Sequence, residues 1–224
     1  MSPMKMMEAL FEAAYLAFAI ALGFWLMRRR DAQARLSGLA ALTLGGGDAF
    51  HLVPRILAAF APEMNLQVFL GLGKFVTSVS MTVFYLLLEI YRERRAGEED
   101  TRRGRVLSGV MFALFLVRAA LCFMPQNEWT SANPPLTWGI IRNIPFVAVG
   151  VLTVVLWAER RQIDTVYRHM PLAVTLSFLF YLPVVLFAGT ASWVGMLMLP
   201  KTVMYVWILL MFRKAALEPQ GSPS

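Results

Sequence analysis

Asp48, His51 and Arg55 stand at i, i+3 and i+7, which puts an acid, an imidazole and a guanidinium on one face of a helix. An acid beside a histidine could do acid–base work. The arginine could instead hold an anion through paired N–H donors. Lys74, Arg118, Arg142 and Lys201 each sit, like Arg55, inside an otherwise apolar run. A charge placed there costs about 2.5–3.5 kcal/mol on insertion scales, so all five call for a physical reason. Lys74 shares a helical face with Ser78 and Tyr85, and Lys201 with Tyr205, with Thr202 adjacent. Asn143 adjoins Arg142, and Tyr181 lies in a further apolar run.

The apolar runs must position these side chains. Of 224 residues, 58% are hydrophobic and 16% charged, against about 25% charged in a soluble domain. Seven runs are long enough to cross a bilayer. They predict an all-α polytopic bundle in one domain, residues 1–224, with helices at about 9–27, 36–60, 66–91, 106–124, 136–158, 171–188 and 193–212. A polar tail ends in Gly221-Ser222-Pro223-Ser224. The first run has no Arg-rich start and no small-residue cleavage site, so it reads as a retained helix and not a signal peptide. The lone Cys122 excludes an internal disulfide, and with His51 and His169 as the two histidines no metal site or cofactor is implied.

Cation placement sets an expected orientation. Arg28, Arg29, Arg30 and Arg35 follow the first helix. Arg92, Arg94, Arg95, Arg102, Arg103 and Arg105 follow the third. Arg160, Arg161 and Arg168 follow the fifth, and Arg213 and Lys214 follow the seventh. Lys5 stands by itself at the opposite side, where Glu63 and Glu128 also fall. The Arg-rich side is therefore expected in the cytoplasm, with the N-terminus outside and the chain in the cell (inner or plasma) membrane. The net charge of +7 is thereby assigned to anionic lipid headgroups and not to nucleic acid.

At a rise of 1.5 Å per residue, the five intramembrane cations lie about 7–12 Å inside the outer helix ends. They come from five helices and share one depth. Asp48, with Glu12, cannot neutralise them all, so an outward-opening cationic pocket for a small anionic or amphiphilic ligand is expected, formed by Asp48, His51, Arg55, Lys74, Arg118, Arg142, Asn143, Tyr181, Lys201 and Tyr205. A plainer account has the arginines snorkelling to headgroups and Asp48 pairing with Lys74 or Lys201. Gly45-Gly46-Gly47 either breaks the second helix or, the favoured reading, lets it pack closely. Pro54, Pro145, Pro183 and Pro200 mark kink positions in four helices.

A shift of 127 residues lays Phe60-Ala61 on Phe187-Ala188, Leu70, Leu72 and Lys74 on Leu197, Leu199 and Lys201, and Val76 and Val79 on Val203 and Val206. Helices 1–3 then match helices 5–7 in the same direction, with helix 4 as linker. This three-plus-one-plus-three layout resembles the SWEET and PQ-loop proteins, and the resemblance implies a transporter with a central site between the repeats. It covers the layout and not the motifs, because the sole Pro-Gln, Pro125-Gln126, closes helix 4. Two other readings stand beside it. An intramembrane enzyme acting on lipid or peptide would use Asp48 and His51 with a nearby Ser or Tyr, but no serine elbow, paired aspartate or Cys-His signature is present. Cys122, one turn from Arg118, is a packing thiol or an activated one. A sensory receptor would resemble the opsins, whose seventh helix carries a lysine as Lys201 does; the acid that opsins place one turn earlier is here Leu197, so retinal is not expected.

Overall fold

The computed structural model describes residues 3–61, 63–97 and 101–218, and among them it is all-helical. Seven long helices run α1 Pro3–Met27, α2 Ala32–Phe60, α3 Gln67–Ala96, α4 Arg102–Cys122, α5 Leu136–Glu159, α6 Met170–Phe187 and α7 Met198–Leu217. Short 3-10 turns at Pro125–Asn127 and Ser192–Leu197 precede α5 and α7. All seven are long and apolar enough to cross a bilayer, as an integral multi-pass membrane protein requires. Large apolar side chains such as Phe24, Phe50, Leu116, Ile144, Val151 and Leu179 stay exposed along them. An apolar exterior of this extent suits lipid and not water. The tail with Gly221-Ser222-Pro223-Ser224 lies outside the described residues.

The charged helix ends run further than hydropathy suggests. Helix α3 continues five residues past Tyr91 because Arg and Glu are good helix formers and can leave the apolar layer without breaking the backbone ladder. Helices α2 and α4 begin earlier than expected at side-chain caps. Asp31 accepts from Ala34 N at 2.8 Å, and Thr101 from Gly104 N at 2.9 Å, each satisfying an otherwise orphan N–H. At α7 the apolar run misleads in the other direction. Residues 193–197 form a 3-10 turn, and Pro200 falls in the first turn of the α-helix, where a missing N–H costs nothing. It is a start signal and not a kink. Pro54, Pro145 and Pro183 do lie inside their helices.

Successive helices pack side by side, and α7 returns to touch α1 and α2, closing a ring; α3 also reaches α5. The most extensive contact, α2 with α3, depends on glycine. Helix α2 runs unbroken through Gly45-Gly46-Gly47, so the packing reading holds. A Cβ on Gly47 would collide with Ser80 of α3, and one on Gly73 would strike the Phe50 carbonyl and lie 2.7 Å from His51 Cα. Thr77 Oγ1 also donates to Gly47 O at 3.1 Å, tying the two backbones together. Gly73→Ala is therefore expected to destabilise the detergent-solubilised protein by about 1–3 kcal/mol, the usual cost of overpacking. Gly46→Ala is the control, since its added methyl meets nothing within 4 Å. Equal melting temperatures for the two variants would contradict the close approach.

The Arg-rich end is braced by polar contacts. Arg95 pairs with Asp164, and Arg103 with Glu159 at 3.0 Å. The Tyr91 and Tyr167 hydroxyls share a hydrogen bond at 2.7 Å. Burial raises the Tyr167 hydroxyl well above the ordinary tyrosine pKa, with the neighbouring Tyr91 adding to the effect, so this pair stays neutral. Arg92, expected in the loop after the third helix, lies inside α3 instead, and it forms with Glu89 a bidentate pair, each 1% exposed, whose contacts include 2.8 Å and 3.0 Å. Ser108 of α4 completes it, donating to Glu89 and accepting from Arg92 at 2.9 Å.

Candidate functional site

The Arg-poor half of the bundle holds the side chains selected from the sequence, and they divide into three groups. The first is an ion pair to α1. Arg55 pairs with Glu8 and lies 3.4 Å from Glu12. Residues 8 and 12 are one helical turn apart, so both carboxylates face the same neighbour. Hydropathy begins the first helix at Ala9 and so leaves Glu8 outside it. Arg55 is thereby neutralised and withdrawn from any pool of free positive charge.

The second group braces the α4–α5 connection. Asn127 Nδ2 donates to Leu121 O at 2.7 Å and to Met124 O at 2.8 Å, closing the exposed carbonyls at the end of α4. Its Oδ1 accepts from Arg142 Nη1 at 2.8 Å, and the Arg142 guanidinium stacks on Trp129 at 4.2 Å. Trp129 Nε1 donates in turn to Cys122 O at 3.0 Å. Cys122 is free and buried. Arg142 thus holds a loop in place through neutral partners.

The third group lies among all seven helices. Asp48 accepts a hydrogen bond from Tyr15 Oη at 2.7 Å. Sequence reasoning misses Tyr15, because nothing in its spacing ties it to Asp48. Lys201 lies over two rings, with Nζ 4.8 Å from the centroid of Tyr181 and 5.1 Å from that of Tyr205. No ion pair within 4.0 Å joins it to Asp48 among the described residues. Tyr181 is fixed by donating to Asn143 Oδ1 at 2.8 Å, while Asn143 Nδ2 donates to Gly139 O at 2.7 Å.

Arg118 is the most confined cation of the five, at 2% exposure. Its Nε donates to Thr82 Oγ1 at 2.8 Å, and its guanidinium carbon sits 3.4 Å from the Phe146 ring centroid. No carboxylate pairs with it among the described residues, and its Nη1 is buried without a partner. The Tyr85 hydroxyl lies near Ser177 and Tyr205 but makes no hydrogen bond of good geometry with either. A buried N–H or O–H left unpaired costs about 1–3 kcal/mol. Two such donors around one buried cation call for an acceptor.

His51 and Lys74 lie at the edge of this group. His51 Nδ1 is buried and makes no hydrogen bond of good geometry. Asp48 spends its hydrogen bond on Tyr15, so Asp48 and His51 form no acid–base dyad. Lys74 itself is exposed, unlike the half-buried Lys201 with which the sequence pairs it.

The seven apolar helices are those of a polytopic helical membrane protein, and Arg118 and Lys201 lie within the bundle they form. No protein family, curated protein or solved structure matches the chain.

Proposed function

We propose that this chain is a transporter of a small anion or anionic amphiphile, bound between Arg118 and Lys201. The observation that carries this reading is Arg118, 2% exposed, facing no carboxylate among the described residues, with Nη1 unpartnered. A guanidinium so placed is stabilised by a carboxylate or phosphate that accepts two N–H bonds. Tyr181 and Tyr205 flank Lys201 with aromatic faces, which favours an apolar body attached to the anionic group. Parallel three-helix units on either side of α4 belong to this reading, since they would bring Lys74 and Lys201 to a common level.

The test is uptake by proteoliposomes containing the purified chain, across a panel of short and medium-chain carboxylates and alkyl phosphates. Saturable uptake of one class, lost in Arg118→Met, is the expected result. A flat response across the panel would end the transporter proposal.

The orientation proposed with it places the N-terminus outside and the Arg-rich loops in the cytoplasm of the cell membrane, where they meet anionic lipid. Reporter fusions after Arg103 and after Ala215 should then read cytoplasmic, and one after Asn133 external. An external signal at Arg103 would reverse the orientation.

A further inference from the structure

At the Arg-rich end, away from the cluster above, the end of α1, the start of α2 and the end of α7 line an open cavity of about 420 Å3. That is within the range of small-ligand sites, about 300–1,000 Å3. Arg29 and Arg30 line it together with the acids Asp31 and Glu218, and Ala34, Ala215 and Ala216 supply apolar lining. Arg29 is held in place by its guanidinium stacking on Trp25 at 4.1 Å, and its buried Nε has no partner. Asp31 Oδ2 caps α2 by accepting from Ala34 N, which leaves Oδ1 for another donor. No ion pair within 4.0 Å joins these two arginines to these two acids among the described residues.

Two cations and two acids that share a cavity without neutralising each other suit a ligand that carries both signs. A lone phosphate would meet the arginines but also face Asp31 and Glu218. A lone amine would meet the reverse. Beside the cavity, Met27 and Leu217 are exposed apolar side chains on the two helices that frame it. This is the level at which the apolar exterior gives way to charge, where a lipid would present its headgroup. Arg28 and Arg35, also exposed nearby, attract anionic lipids without selecting among them, and screening over about 8–10 Å weakens that pull.

We propose that this cavity binds a phosphate joined to a primary ammonium, the phosphoethanolamine headgroup of a bilayer lipid. The phosphate takes the N–H donors of Arg29 and Arg30. The ammonium donates to Asp31 Oδ1 and Glu218. A choline headgroup has no N–H to donate, and a glycerol headgroup has no positive charge, so both lose the acidic half of the site.

The test is native mass spectrometry of the full chain in detergent, titrated separately with phosphatidylethanolamine, phosphatidylcholine, phosphatidylglycerol and free phosphoethanolamine. Phosphatidylethanolamine should be retained at least tenfold better than the other two lipids. Arg29→Gln should lose that preference, with thermal melts confirming that it folds. Glu218→Gln alters an exposed residue and should shift the preference toward phosphatidylglycerol. Free phosphoethanolamine that displaces the lipid at equal affinity would support headgroup recognition and identify the soluble group as a sufficient occupant. Displacement only by lipid would support recognition of the headgroup together with its chains. Equal retention of the three lipids by the native chain, or an unaltered preference in Glu218→Gln, would overturn the proposal.

Discussion

Lys201→Met abolishes anion retention while the protein still inserts, folds and melts close to the native temperature. The expectation follows from where Nζ sits. It rests against the Tyr181 and Tyr205 rings and makes no ion pair with Asp48 within 4.0 Å. Asp48 already has a donor in Tyr15, so it is not stranded when the lysine is removed. A bound anion would lose much more. Removing one partner of a desolvated charge pair costs on the order of 2–5 kcal/mol, about thirtyfold to several thousandfold in affinity at 1.4 kcal/mol per tenfold. Methionine keeps the length and the contact with both rings. The competing account makes Lys201 the countercharge of Asp48. In that account Lys201→Met destabilises the fold, and the double variant Lys201→Met/Asp48→Asn restores it. Thermal melts of both variants, read beside anion binding, separate the two accounts. Loss of stability in the single variant and rescue in the double would sink the anion site.

Glu89→Leu should destabilise the fold more than either Gly73→Ala or Lys201→Met. Glu89 and Arg92 are each 1% exposed, and the carboxylate also accepts from Ser108. Deleting the acid leaves a guanidinium buried in the bundle without its main countercharge, a cost of about 3–5 kcal/mol for breaking a buried pair. Replacing both members, Glu89→Leu with Arg92→Met, should recover most of it, because well-packed apolar residues often do as well as a buried pair. Denaturation in mixed micelles gives both values. A single variant as stable as the native chain would mean that Arg92 is satisfied without Glu89.

Hydropathy made the seven spans legible, since runs of apolar residues longer than about 18 have few other uses. It located their ends less well, because capping by Asp31 and Thr101 and the helical preference of Arg and Glu operate outside the apolar layer. The five intramembrane cations also stood out by type. Their partners did not. Tyr15 on Asp48, Thr82 on Arg118 and Asn127 on Arg142 are neutral residues 33, 36 and 15 positions away. No spacing rule links such pairs, and only helix packing brings them together. Arg55 shows the same limit in its ion pair, because Glu8 becomes visible as a partner once α1 is known to begin at Pro3. Lys74 and Lys201 match in sequence yet differ in exposure, since α7 turns its lysine between two tyrosines while α3 does not.

Closure of the helix ring by α7 against α1 and α2 has a consequence for biosynthesis. Asp48 is synthesised well before Lys201 and Tyr205, which follow it by about 150 residues. At about 5–20 residues per second, roughly 8–30 s separate the two events. During that interval Tyr15 is the partner that shields the aspartate, because it is already on the preceding helix. An arrested chain ending after α6 would carry Asp48 bonded to Tyr15 but the ring open between α6 and α1. Tyr15→Phe should therefore shorten the lifetime of that arrested intermediate more than that of the chain with α7 in place.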